Sequence, residues 1–163
     1  MSAWPQARLG ELIVDAAYGT SGKCSEVAEG IPVAFVGVVL KGTPGIVTPA
    51  GVAGLRFRDE AEAVNELVPE LKRQGVEAMV VLIHQGGETT GSYDDPSCPG
   101  FSGPIVDIVR RLDPAIDVVV SGHTHQAYVC RVNNRLVTQA GSYGRFVTAI
   151  DLGIDRATRD VAG

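Results

Sequence analysis

Three stretches of the chain are short, nearly continuous apolar runs rich in β-branched residues: Ile31 to Leu40, Val76 to Ile83 and Asp117 to Ser121. Runs of that length without alternation read as strands buried on both faces. Between the first two, Asp59 to Gln74 sets Ala63, Leu67 and Leu71 four residues apart among charges, with Gly75 behind them. That is the pattern of an amphipathic helix with a C-terminal stop, and Pro69 inside it predicts a kink or a break. Pro104 to Leu112 suits a short helix with proline in its first turn. Lys41 to Gly54 and Glu88 to Gly103 have no periodicity and read as long loops. Strand, helix, strand, helix, strand in that order implies parallel strands with covering helices, an α/β fold.

After His125 the pattern changes. Tyr128 to Val132 and Arg135 to Thr138 flank Asn133-Asn134, a pair that tolerates positive φ and suits a tight hairpin. Gly141 to Gly144 reads as a turn and Arg145 to Leu152 as a further strand, so the tail is expected to be antiparallel. The first 30 residues carry little readable pattern.

Composition narrows the class. With 163 residues and 45% apolar positions the chain suits one globular domain with its own core. A net charge of -5 argues against a broad nucleic-acid footprint. No apolar run approaches the roughly 20 residues that cross a bilayer, so no membrane partner is expected. The opening MSAWPQARLGELIVDAAYG has no basic stretch followed by a long apolar one, and no signal peptide is read in it. Cys24, Cys98 and Cys130 lack C-x-x-C spacing and allow at most one internal pair; the expectation is separate thiols.

The histidines carry the candidate chemistry. All three in the chain fall at one kind of position: His84 just past the end of one apolar strand, His123 and His125 just past another. In an open α/β sheet ligands bind beyond the carboxyl ends of the strands. In extended backbone residues i and i+2 point the same way, so His123 and His125 are expected to face one site, with Thr124 turned away. Neutral imidazole is a common ligand for zinc and related ions. Glycine beside both positions, in HQGG and SGHTH, lets a ligand approach the backbone.

The segments VVLIHQGGE and DVVVSGHTHQ, in that order, resemble the C-terminal half of the metallophosphoesterase domain of bacterial 5′-nucleotidases, in the calcineurin-like family. The likeness extends to VGVVLKGTPGIVTPAGVAGLRF, CPGFSGPIVDIVRRLDP and LVTQAGSYGRFVTAIDL. It covers residues 31–155, leaving 1–30 as a poorly matched segment and 156–163 as a tail. The resemblance implies a two-sheet sandwich with helices outside and a dinuclear site holding zinc, manganese or a similar ion. By it, His84 and His123 would bind one metal and His125 the other, and the substrate would be a nucleotide or another phosphomonoester.

The family's first half carries D-x-H, a bridging aspartate and G-N-H-[DE], and none of these is present here. Asp15 stands alone, and no catalytic residue is identifiable. The resemblance therefore implies a truncated hydrolase, or alternatively a non-catalytic remnant or interaction module holding at most one weakly bound ion. The family is commonly periplasmic or extracellular; the chain's own location stays open. If the family's second sheet is missing, an apolar patch should lie open and favour self-association or attachment to parent domains. Asp94 and Asp95 read as solvated turn residues, and Arg110 and Arg111 as complements to a helix end. Gly141 to Gly144 reads either as a border of the substrate pocket or as a plain turn. Gln85, Gly86 and Gly87 are expected to shape their loop, with a backbone N–H open to phosphate.

Overall fold

The computed structural model describes residues 25, 26 and 30–162. The readings placed on Asp15 and Cys24 lie outside them. One mixed sheet organises the rest: β1 (Ser25–Glu26), β2 (Pro32–Val38), β3 (Ala78–Ile83), β4 (Val118–Val120), β5 (Ala127–Val132) and β6 (Arg135–Ala140), in spatial order β1-β2-β3-β4-β6-β5. The four inner strands run parallel, and β1 and β5 pair antiparallel at the edges. The mostly parallel α/β reading therefore holds.

The helix over Asp59 to Gln74 is broken in two: α1 (Glu60–Asn65) and α2 (Val68–Arg73). Asp59 caps the first by accepting the Glu62 N–H at 3.3 Å. Pro69 sits in the first turn of the second, where its missing N–H costs nothing. Gly75, at φ 78°, ends it, with the Val76 N–H returning to the Leu71 carbonyl at 3.1 Å. A third helix, α3 (Pro104–Arg111), opens on its proline. Arg111 then reaches Asp59 through both guanidinium nitrogens, at 2.7 and 3.1 Å. That pairing holds the Asp59 carboxyl down at about 2 and ties α3 to the head of α1. The structural role expected for Arg111 is the one observed.

The three helices cover one face of the sheet. Ala34, Val36, Met79, Val81, Val119 and Val137 meet Val64, Leu71, Ile105, Ile108 and Val109 there in one core. On the other face Val33, Ala78, Val80 and Val118 form a smaller cluster, covered by Ile150, Leu152, Ile154 and Val161. This corrects the expected strand over Arg145 to Leu152, which has no regular pairing. Both hydrogen-bonding edges of β6 are taken, by β4 and β5, so the segment after it crosses the sheet face and contributes side chains instead. Its cover stops short. Phe35 and Leu82, nearer the carboxyl ends of their strands, stay 37% and 42% exposed.

The hairpin turns as expected, with Asn133 at φ 51° and Asn134 at φ 63°. The cysteines do not stay separate. Cys98 and Cys130 form a disulfide across a Cα–Cα distance of 5.6 Å, joining the loop before α3 to β5. Their 32-residue separation hides the pairing from the sequence; only the packing of that loop against the hairpin brings them together. Among the described residues, no helix is long and apolar enough to cross a membrane.

Candidate metal-binding rim

His84 takes the first position after β3, where its N–H still extends the parallel ladder to the Val38 carbonyl at 3.0 Å. Two residues beyond β4, the chain makes a tight bend: Gly122, His123, Thr124 and His125, with the Thr124 N–H bonded back to the Gly122 carbonyl at 2.8 Å. His123 and His125 both adopt left-handed backbone, at φ 71° and 58°. This corrects the extended geometry expected for them. A non-glycine residue in that region costs on the order of 1 kcal/mol, and such strain concentrates at functional sites. Thr124 does turn away from the imidazoles, as expected, with its hydroxyl on the Gly87 carbonyl at 2.8 Å.

The bend brings His123 to His84. Their rings lie edge to face at 5.1 Å, and His123 Nδ1 is 3.3 Å from His84 Nε2. Two nitrogens at zinc-like bond lengths on one tetrahedral ion would stand about 3.3–3.4 Å apart. The pair therefore fits a shared cation. His125 faces elsewhere, its ring 5.6 Å from that of Tyr143, which in turn lies 5.8 Å from the Arg145 guanidinium. Among the described residues, no three His, Cys, Asp or Glu side chains are grouped closely enough to hold one ion. What the chain supplies at this rim is two converging imidazoles and a third beside them, all exposed.

The glycines shape their loop as expected, but their N–H groups are turned to protein acceptors. The Gly86 N–H donates to the Gln85 side chain at 2.9 Å and the Gly87 N–H to the Tyr128 hydroxyl at 3.3 Å, so both already have acceptors. Gly86 is needed for closeness: a Cβ there would stand 2.3 Å from the Gly122 carbonyl and 2.6 Å from the Thr124 hydroxyl. Asp94 and Asp95 bond within their own loop, to Ser92 and Ser97, as solvated turn residues do. Tyr143 sets the Gly141 to Gly144 turn beside His125, whereas Arg145 and Tyr128 carry no local pattern that marks them as lying near this rim. A glutamine in the strand-like run LVTQA is the one local hint for Gln139.

Two groups shifted by burial lie at the opposite end of the strands. Burial pushes the Asp117 carboxyl up to about 6, and burial lowers the Arg135 guanidinium. Both border a cleft of about 600 Å³ with Arg131, Asn133 and Leu152. A perturbed carboxyl in a cleft is a candidate functional group, but its contacts are those of a fastener. Asp117 accepts the Met79 N–H at 2.8 Å, and Arg135 donates to the carbonyls of Ile116, Val109 and Asp113.

The mostly parallel sheet with helices on one face matches the fold of solved 5′-nucleotidases and of a calcineurin-like phosphoesterase. Comparison with known proteins agrees. No family model matches the chain. The chain is 39% identical over 133 residues to the endonuclease YhcR of Bacillus subtilis, covering 82% of this chain and 10% of that one. It is 28% identical over 112 residues to a 5′-nucleotidase of Vibrio cholerae, covering 67% of this chain and 19% of that one. The crystal structure of a 5′-nucleotidase precursor from Thermus thermophilus superposes with a TM-score of 0.60 at 22% identity, over 86% of this chain and 28% of that one. The relatives and structural neighbours of the chain include 5′-nucleotidases and calcineurin-like phosphoesterases, to part of whose length it is similar. It spans a tenth to a fifth of the length of the two curated relatives named above. The family generally uses divalent metal ions.

Proposed function

We propose that the chain is the histidine-bearing part of a metal-dependent phosphoester hydrolase of 5′-nucleotidase type. In it His84 and His123 hold one divalent ion, zinc or manganese, and His125 contributes to a second. The observation that carries this reading is the 3.3 Å approach of His123 Nδ1 to His84 Nε2. Bound ions would neutralise a phosphate and polarise its phosphorus–oxygen bonds. The chain's own part is to present neutral imidazole lone pairs on strained, glycine-packed turns beyond the sheet, open to a phosphomonoester such as a nucleotide. The Cys98–Cys130 disulfide supports a working place outside the reducing cytosol.

Three neutral imidazoles are not a complete dinuclear site. Two dications sharing a small space repel strongly unless carboxylates lie between them, and the 163 residues contain no D-x-H or G-N-H segment. That favours a division of labour in which a complete site needs residues from outside this sequence. The same absence supports a second reading, an interaction module that keeps one weakly held ion. Cobalt(II) titration of the full chain followed by visible absorption, with nucleoside monophosphate hydrolysis measured beside it, tests both. The expected result is weak binding abolished in His84→Ala and His123→Ala, with hydrolysis near background. Brisk turnover lost in His123→Ala would show that the chain suffices alone. A cobalt spectrum indifferent to both histidines would overturn the metal reading.

A further inference from the structure

We infer that Thr124, seated on Gln139, is the positioning residue that sets the approach of His123 to His84; the inference rests on the metal reading above for its purpose. The two histidines come from separate loops, and the His123 bend is strained, so some contact must hold it against relaxation. The contacts between the loops are few. The Gly122 N–H donates to the Gln85 carbonyl at 3.3 Å, and the Thr124 hydroxyl meets the Gly87 carbonyl at 2.8 Å.

Beneath them lies a buried polar cluster from the β5–β6 hairpin. Gln139 is 2% exposed, and its Oε1 stands 3.1 Å from the Thr124 hydroxyl and 3.2 Å from the Tyr128 hydroxyl. Tyr128 accepts the Gly87 N–H and contacts the Ser121 hydroxyl at 2.6 Å, and that hydroxyl also meets the Thr138 carbonyl at 2.8 Å. The cluster thus touches the His84 loop at Gly87 and the His123 loop at Ser121 and Thr124. Thr124 has one hydroxyl proton, and the Gly87 carbonyl is the nearer acceptor, while the Gln139 Nε2 is buried without a partner. Turned end for end, the Gln139 amide would donate to both hydroxyls and leave each with a consistent set of bonds. A hydroxyl at position 124 is therefore what couples the bend to the floor beneath it. The bend's two imidazoles face outward because its middle side chain is anchored inward.

Isosteric Thr124→Val removes the hydroxyl, and Thr124→Ser restores it. Two readouts are taken well below each variant's melting temperature: the nuclear Overhauser contact between the His84 and His123 rings in the metal-free chain, and cobalt(II) affinity. The unmutated chain should show both. Thr124→Val should lose the ring contact and bind cobalt(II) roughly 10–100-fold more weakly, the usual range for outer-shell support, and Thr124→Ser should recover both. A purely structural threonine would lower the melting temperature and leave ring contact and affinity intact, which would overturn the inference. So would a serine variant that behaves like valine, or the absence of the ring contact in the unmutated chain. If the unmutated chain shows the ring contact but binds no cobalt(II), the metal reading fails, and the ring contact in the two variants alone decides the positioning role.

Discussion

The two ends of the central strands treat their polar groups in opposite ways. At the amino ends, Arg135 is buried and gives its donors to three backbone carbonyls, and Asp117 accepts the Met79 N–H. At the carboxyl ends, His84, His123 and His125 are exposed, the last two on left-handed backbone, and ring nitrogens of His84 and His123 are turned toward each other. One end spends its polar atoms on holding the chain together. The other holds its backbone in a costly shape to present polar atoms outward. The shift at Asp117 alone would have pointed away from the histidines, because burial shifts a fastener as readily as a catalyst. Whether a group's hydrogen bonds are already committed is the better discriminator.

The largest break in this comparison should come from Arg135→Met. Three carbonyls, of Ile116, Val109 and Asp113, would lose their buried donor, and urea unfolding should show a loss of about 3 kcal/mol or more. Below its own transition the variant should keep the His84–His123 ring contact. Loss of that contact without unfolding would mean that the two ends are not independent.

A smaller and opposite effect is expected at the other end. His123→Gly relieves a residue at φ 71°, while glycine adds freedom to the unfolded chain. Unfolding free energy should therefore stay level or rise by up to about 1 kcal/mol, although cobalt(II) binding is lost. A clear drop in stability would show that the imidazole holds the fold and is no ligand in waiting.

The smallest effect is a pH window. Asp117 has its folded carboxyl near 6 against an ordinary 3.8, so the folded state binds more protons between those values. Stability from this group is fully present below about pH 4 and is lost as pH rises through 6. Asp59, held at about 2, works the other way, and its contribution is lost as pH falls from 4 toward 2. Melting temperature against pH should show the first slope disappear in Asp117→Asn, which keeps an acceptor for the Met79 N–H. An unchanged slope between pH 4 and 6 would assign it to other groups. Because Asp117 is only half-buried, solvent screening keeps the slope shallow.

Much of this molecule is legible in local pattern. Continuous β-branched runs mark β2, β3 and β4, Pro69 marks the break between α1 and α2, and Asn133-Asn134 marks the hairpin. Each depends on backbone preferences and burial that act within a few residues. The placement of every histidine after a buried strand is of the same kind, and so is the family likeness of HQGGE and SGHTHQ. What depends on distance through space was closed to the sequence. Cys98 meets Cys130 only because a loop folds onto the hairpin, and Arg145 to Leu152 is denied a strand because β6 has no free edge. The left-handed bend at His123, the inward hydroxyl of Thr124 and the buried amide of Gln139 belong together for the same reason: their bonds link residues as far as 41 positions apart, in a cluster that runs from Gly87 to Gln139. Local composition determined that imidazoles would stand at the end of this sheet. Only the packing of the hairpin beneath them decided that two would face each other while the third turned toward Tyr143.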